Sequence, residues 1–76
     1  MKTVAHMEAG QTAVICENGI ESIPLKLLEL GCLPGITIKL VRKAPLNDPL
    51  YIEINGNHLL IRTETARLIP VNCLVD

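Results

Sequence analysis

Leu50-Tyr51-Ile52-Glu53-Ile54-Asn55-Gly56-Asn57-His58-Leu59-Leu60-Ile61-Arg62 is the stretch on which the fold turns. Leu50, Ile52 and Ile54 alternate with Tyr51 and Glu53, the period of a strand with one buried face. Asn55-Gly56 follows, two residues that tolerate positive φ and so form the strongest short signal for a two-residue hairpin turn. Residues 58–62 are therefore expected to return antiparallel. Upstream, Ile36-Thr37-Ile38-Lys39-Leu40-Val41-Arg42-Lys43 repeats the alternation, with Ile36, Ile38 and Leu40 on one face and Thr37, Lys39 and Lys43 on the other.

Outward from these strands the punctuation is regular. Residues 11–17 contain Thr-Ala-Val-Ile-Cys and stop at Asn18-Gly19, which predicts a first strand. Ser22 offers an N-cap, Pro24 sits where a missing N–H is harmless, and Gly31 supplies a left-handed C′ position, so residues 23–30 are expected to form about two turns of helix. Pro34-Gly35 suits the central positions of a type II turn. Residues 63–66 read as a single helical turn, and residues 68–74 as a last strand whose Pro70 belongs at an edge or a strand start. Residues 1–10 are weakly patterned and read as a lead-in covering one barrel edge. The sum is an all-β chain, an SH3-like five-stranded antiparallel barrel with one short helix after the first strand.

The predicted helix is too apolar for an ordinary surface helix. Ile23, Leu27 and Leu30 form one ridge, Leu25 and Leu28 a second, and only Lys26 and Glu29 remain for the polar side. That is an apolar arc of about 220°, where a surface helix needs roughly 100°. One ridge faces the barrel. The other must be covered, either by Val4 and Met7 of the lead-in or by a partner.

The chain has 76 residues, which predicts one domain over residues 1–76 with a single core. Apolar residues make up 49 %, yet there is one Tyr and no Phe or Trp, so that core must be aliphatic. Seven basic residues against eight acidic give a formal net charge of −1, which provides no field to recruit nucleic acid or anionic lipid. Without aromatic platforms, neither single-stranded nucleic acid nor proline-rich ligands are expected to bind. Three cysteines without a C-x-x-C spacing argue against a disulfide framework and for a reducing, cytoplasmic setting. No apolar run approaches the ~20 residues of a membrane span.

At Leu27-Leu28-Glu29-Leu30-Gly31-Cys32-Leu33-Pro34-Gly35, then Ala44-Pro45-Leu46-Asn47-Asp48-Pro49-Leu50, then Asn55-Gly56 and Ile61-Arg62, the chain resembles the ferrous iron transport protein A family. The resemblance spans roughly residues 10–75. It implies a cytoplasmic SH3-like protein working beside a ferrous iron permease, an inner-membrane protein with its own GTP-binding domain, as an accessory or regulator. The same fold is expected as the carboxy-terminal domain of iron-dependent repressors. The helix here carries Pro24 and few basic residues, so strong electrostatic docking is not expected.

The residues assigned to partner contact are Leu25, Leu28 and Leu33 on the leucine strip, Pro34 and Gly35 in the turn, Pro45, Asp48 and Pro49 in the loop, and Arg62. Asp48 is expected to accept backbone N–H bonds, and Arg62 to pair with Glu64 or Glu53. Cys16 and Cys73 lie in β-patterned segments and read as small core residues, while Cys32, in the turn, is expected to meet solvent. His6, His58 and the cysteines show no metal-ligand spacing, no nucleophile has a local base, and no glycine loop cradles phosphate. No cofactor, metal site or enzyme activity is expected. The alternatives are a regulatory domain that binds ferrous iron or zinc directly and a self-associating module, since bare strand edges and leucines also favour homo-oligomers.

Overall fold

The computed structural model describes residues 2–17 and 20–73. Strands β1 (Thr12–Ile15), β2 (Thr37–Lys43), β3 (Leu50–Ile54), β4 (Asn57–Ile61) and β5 (Val71–Cys73) form one antiparallel sheet in the order β4-β3-β2-β1-β5. Among the described residues two short helices, α1 (Leu25–Glu29) and α2 (Thr63–Ala66), and three single 3₁₀ turns accompany it.

The hairpin forms as its sequence dictates. Asn55 (φ 51°) and Gly56 (φ 82°) take the two positive-φ positions, which fixes Ile54 opposite Asn57 and Ile52 opposite Leu59. Ile38, Leu40, Leu50, Ile52, Ile54 and Ile61 then share the inner face and are buried with Ile15, Ile69 and Val71. In β2 the pairing with β3 shifts between Leu40 and Arg42, leaving Val41 as the extra residue of a bulge. Bulges bend and twist a strand, which lets β2 serve both β1 and β3.

The lead-in is built into the fold. Val4 N–H donates to Ile69 O (3.0 Å), Val71 N–H donates to Lys2 O (2.9 Å), and Thr3 bridges Pro70. These residues cover the approach to β5, while Val4 and Met7 are buried in the core. They pack towards α2, and Leu25 on the helix ridge stays exposed.

Several boundaries differ from expectation for local reasons. Helix α1 starts at Leu25 because a residue before proline is disfavoured in the helical region; Pro24, at φ −55° and ψ 141°, is the cap. Ser22 does not cap it, and its hydroxyl donates to Leu68 O at 2.7 Å. The last strand begins only at Val71, since Leu68 and Ile69 still donate N–H bonds to Thr65 and Ala66 at the end of α2. The Asn18-Gly19 stop and residue 74 lie outside the described residues.

The two faces of the hairpin make opposite predictions. Ile52→Ala should cost about 2–5 kcal/mol, close to the whole ~3–5 kcal/mol that a core this small supplies. Leu60→Ala, on the outer face, should change stability by less than about 0.5 kcal/mol. Urea unfolding followed by circular dichroism separates them; equal losses would mean the faces are wrongly assigned.

Candidate functional site

Helix α1 ends in a motif that turns its neighbour inward. Gly31 takes φ 102°, Cys32 N–H donates to Leu27 O (3.0 Å) and Gly31 N–H to Leu28 O (3.1 Å). That pair of bonds defines a Schellman stop, in which the following residue packs against the helix. Cys32 is accordingly buried, not solvent-facing as the turn sequence suggests, and desolvation pushes its thiol up to about 11. Cys16, expected in the core, is half-buried. The side chain of Cys73 lies outside the described residues.

Pro34-Gly35 forms its turn, with Gly35 at φ 87° and Ile36 N–H donating to Leu33 O (3.1 Å). A Cβ on Gly31 would sit 3.3 Å from Asn55 Nδ2, so the carboxyl end of α1 rests against the β3–β4 turn. Its amino end lies by α2. Between α1 and β4 runs a groove of about 420 Å³, walled by Pro24, Lys26, Leu27 and Leu30 on one side and Leu59, Leu60 and Ile61 on the other, with Thr65 at one end.

A second, polar recess lies at the loop before β3. Asp48 Oδ1 accepts the Thr63 N–H at 2.8 Å and the Thr63 hydroxyl at 3.2 Å, so a loop residue caps α2 from a distance. The carboxyl is held below its ordinary 3.8, chiefly by the Thr63 N–H, with the Thr63 hydroxyl and the Arg62 guanidinium adding and desolvation opposing. Arg62 faces Asp48 at 3.9 Å rather than Glu64 or Glu53. Glu64 is two positions along and does not face it, while Glu53 stands opposite His58, 4.0 Å away. Both ends of the Arg62–Asp48 pair are exposed, so it adds little to stability.

The nine assigned residues do not form one patch. Leu25 (69 % exposed) and Leu33 (43 %) are open. Leu28 is half-buried and packs on the core, so the second ridge is not the free strip its spacing suggests. Pro34 and Pro49 are half-buried, and Gly35 and Pro45 are exposed. Asp48 lines the polar recess and pairs with Arg62. Two features escape the pattern. Leu46 is 96 % exposed with φ 70°, a strained setting for a bulky residue that its flanking prolines do not announce. Leu60, 69 % exposed on the groove wall, was legible as the outer-face partner of Tyr51.

Outside these surfaces, Tyr51 Oη and His58 Nδ1 share a hydrogen bond of 2.7 Å, and the Arg42 guanidinium lies 5.7 Å from the Tyr51 ring centre. The described residues contain no group of three or more His, Cys, Asp or Glu placed to hold a metal ion. None of their helices is long and apolar enough to cross a membrane.

A family model, the FeoA domain, matches residues 2–73. The chain belongs to the FeoA family. It is 33 % identical over 72 residues to a Porphyromonas gingivalis Fe(2+) transport protein A/Fe(2+) transporter FeoB fusion protein, covering 93 % of this chain and 8 % of that one. The chain thus spans under a tenth of that relative. The solution structure of FeoA from Chlorobium tepidum superposes with a TM-score of 0.85 at 31 % identity, over 97 % of this chain and 71 % of that one. Stenotrophomonas maltophilia FeoA, complexed with zinc and described as an SH3 domain protein, gives 0.79 at 22 % identity, over 95 % and 91 %. The fold alone is shared with a manganese-dependent transcriptional repressor, at 0.76 and 11 % identity over 96 % and 41 %. The small SH3-like barrel is therefore the fold of this FeoA-family chain.

The depressed Asp48 value has a defined sign. Its contribution to stability is complete above the ordinary Asp value near 3.8 and is lost as pH falls through the lower folded-state value. Between about pH 5 and pH 2 the thermal midpoint should therefore fall further for the native chain than for Asp48→Asn. Parallel profiles would show that Asp48 does not hold α2.

Proposed function

We propose that this chain is an accessory protein of ferrous iron uptake that acts in the cytoplasm by binding the cytoplasmic, GTP-binding part of a ferrous iron permease. The fused relative carries this reading, because a single polypeptide that joins transport protein A to the FeoB transporter holds the two at high effective concentration. Exposed leucines add to it. Leu25, Leu33 and Leu46 offer apolar side chains on a barrel whose net charge of −1 gives no long-range steering, so recognition rests on shape and burial. The role is that of a binding module rather than an enzyme, with no metal of its own.

Leu25→Glu is the discriminating variant, because Leu25 is exposed whereas Leu28 belongs to the edge of the core. Immobilised permease cytoplasmic domain should bind the native chain and lose Leu25→Glu, since an unpaired charge in an apolar contact costs on the order of several kcal/mol. The circular dichroism spectrum should not change. Equal binding by Leu25→Glu and Leu33→Glu, or none by the native chain, would contradict the proposal.

A further inference from the structure

An antiparallel sheet that is not closed has two edges, and here they are treated differently. The β5 side is approached by Lys2 to Val4, which exchange backbone hydrogen bonds with Ile69 and Val71. Among the described residues the β4 side has no such backbone cover. The two-residue turn makes Ile54–Asn57 a hydrogen-bonded pair, and by alternation Ile52–Leu59 and Leu50–Ile61 are hydrogen-bonded as well. His58 and Leu60 therefore aim their N–H and C=O groups away from β3. Among the described residues neither finds a backbone partner in another element. Edges are usually guarded by lysine, proline, a bulge or a covering segment; β4 contains no lysine or proline, and the bulge lies in β2.

What lies beyond that edge is a gap with apolar walls. Helix α1 stands alongside β4, anchored at Gly31 against Asn55, and Leu27 and Leu30 face Leu59 and Leu60 across a groove of about 420 Å³. That volume is within the ~300–1,000 Å³ of ligand-binding clefts. We infer that this groove takes one extended segment of a partner polypeptide as an added strand beside β4, with aliphatic side chains at alternate positions and a carboxylate facing Lys26.

The occupant's chemistry follows from the walls. Free N–H and C=O groups at two-residue spacing match a β-strand and not a helix. Alternate side chains of such a strand point into the apolar groove. Among the described residues Lys26 is the one charged side chain lining it, so electrostatic complementarity favours an acidic residue in the segment. A second copy of this chain is a poor fit, because its own β4 arrives with its own α1 alongside, and two helices cannot occupy one groove. The inference deepens the accessory role and rests on it only for where the segment comes from.

The test needs no permease. The full chain is panned against a displayed library of random peptides of about nine residues, long enough for an ordinary strand. A selected peptide, synthesised with capped ends, is then titrated into isotope-labelled protein. Selected sequences should alternate aliphatic residues and carry Asp or Glu, and binding should protect the His58 and Leu60 amides from exchange. Leu60→Pro removes one outward N–H at an edge position and should weaken binding about tenfold, the worth of one hydrogen bond. Lys26→Glu, on an exposed helix position, should leave the fold intact and turn the selection towards basic peptides. The inference is overturned if no peptide is selected, or if selected peptides bind both variants as tightly as the native chain. It is equally overturned if shifts are confined to Leu25 and Leu33, or if the two amides gain protection with protein concentration alone, the sign of a second copy. Failure here leaves the Leu25 experiment with the permease domain standing, and the reverse holds.

Discussion

Two residues at positive φ, Asn55 and Gly56, hold β3 and β4 in one register, and that register decides what every side chain of the hairpin does. A slip of one residue would exchange the faces of β4 relative to β3, turning Ile61 and Leu59 outward and leaving Leu50, Ile52 and Ile54 without their inward partners. A fully buried aliphatic side chain is worth about 1.5–3 kcal/mol, so turning the two outward forfeits a large fraction of the ~3–5 kcal/mol that so small a core supplies. With no Phe or Trp to add bulk, the barrel depends on these branched side chains being inward together. The same register directs the backbone groups of His58 and Leu60 outward, so the constraint that stabilises the core also creates the open edge.

Helix α1 has the complementary task. Five residues of helix would not persist alone in water, and it is held by Ile23 and Leu27 in the core and by the Gly31 stop. Gly31 is needed for two independent reasons, a φ of 102° and the closeness of Asn55. Together they fix the helix end to the hairpin turn while its body stands away from β4. Burying Cys32 at this stop removes a thiol from solvent and keeps it protonated at neutral pH. A surface that presents Leu25, Leu33, Leu46 and Leu60 among its charges fits a member of the FeoA family whose proposed task is to recognise another protein.

Much of this was legible in the residues. The alternation of 36–43 and 50–54, the Asn55-Gly56 turn and the Gly31 stop each specify local geometry that tertiary packing only confirms. Boundaries near prolines were less legible: Pro24 shortens α1 through its effect on Ile23, a steric rule that competes with the capping signal of Ser22. The surface was harder still. The packing of Leu28 on the core, the cap that Asp48 provides to α2, and the pairing of Arg62 all join residues far apart in sequence, which periodicity cannot register. Leu46 illustrates the limit, since Pro45 and Pro49 mark a loop without saying which residue takes the left-handed conformation.

The open edge is most directly tested by native-state hydrogen exchange of the free protein, read at four consecutive amides of β4. With the edge open, Leu59 and Ile61, bonded to β3, should exchange only with unfolding, while His58 and Leu60 should exchange near the rate of an unstructured chain. Equal, strong protection at all four would show the edge already covered, and would contradict an open edge.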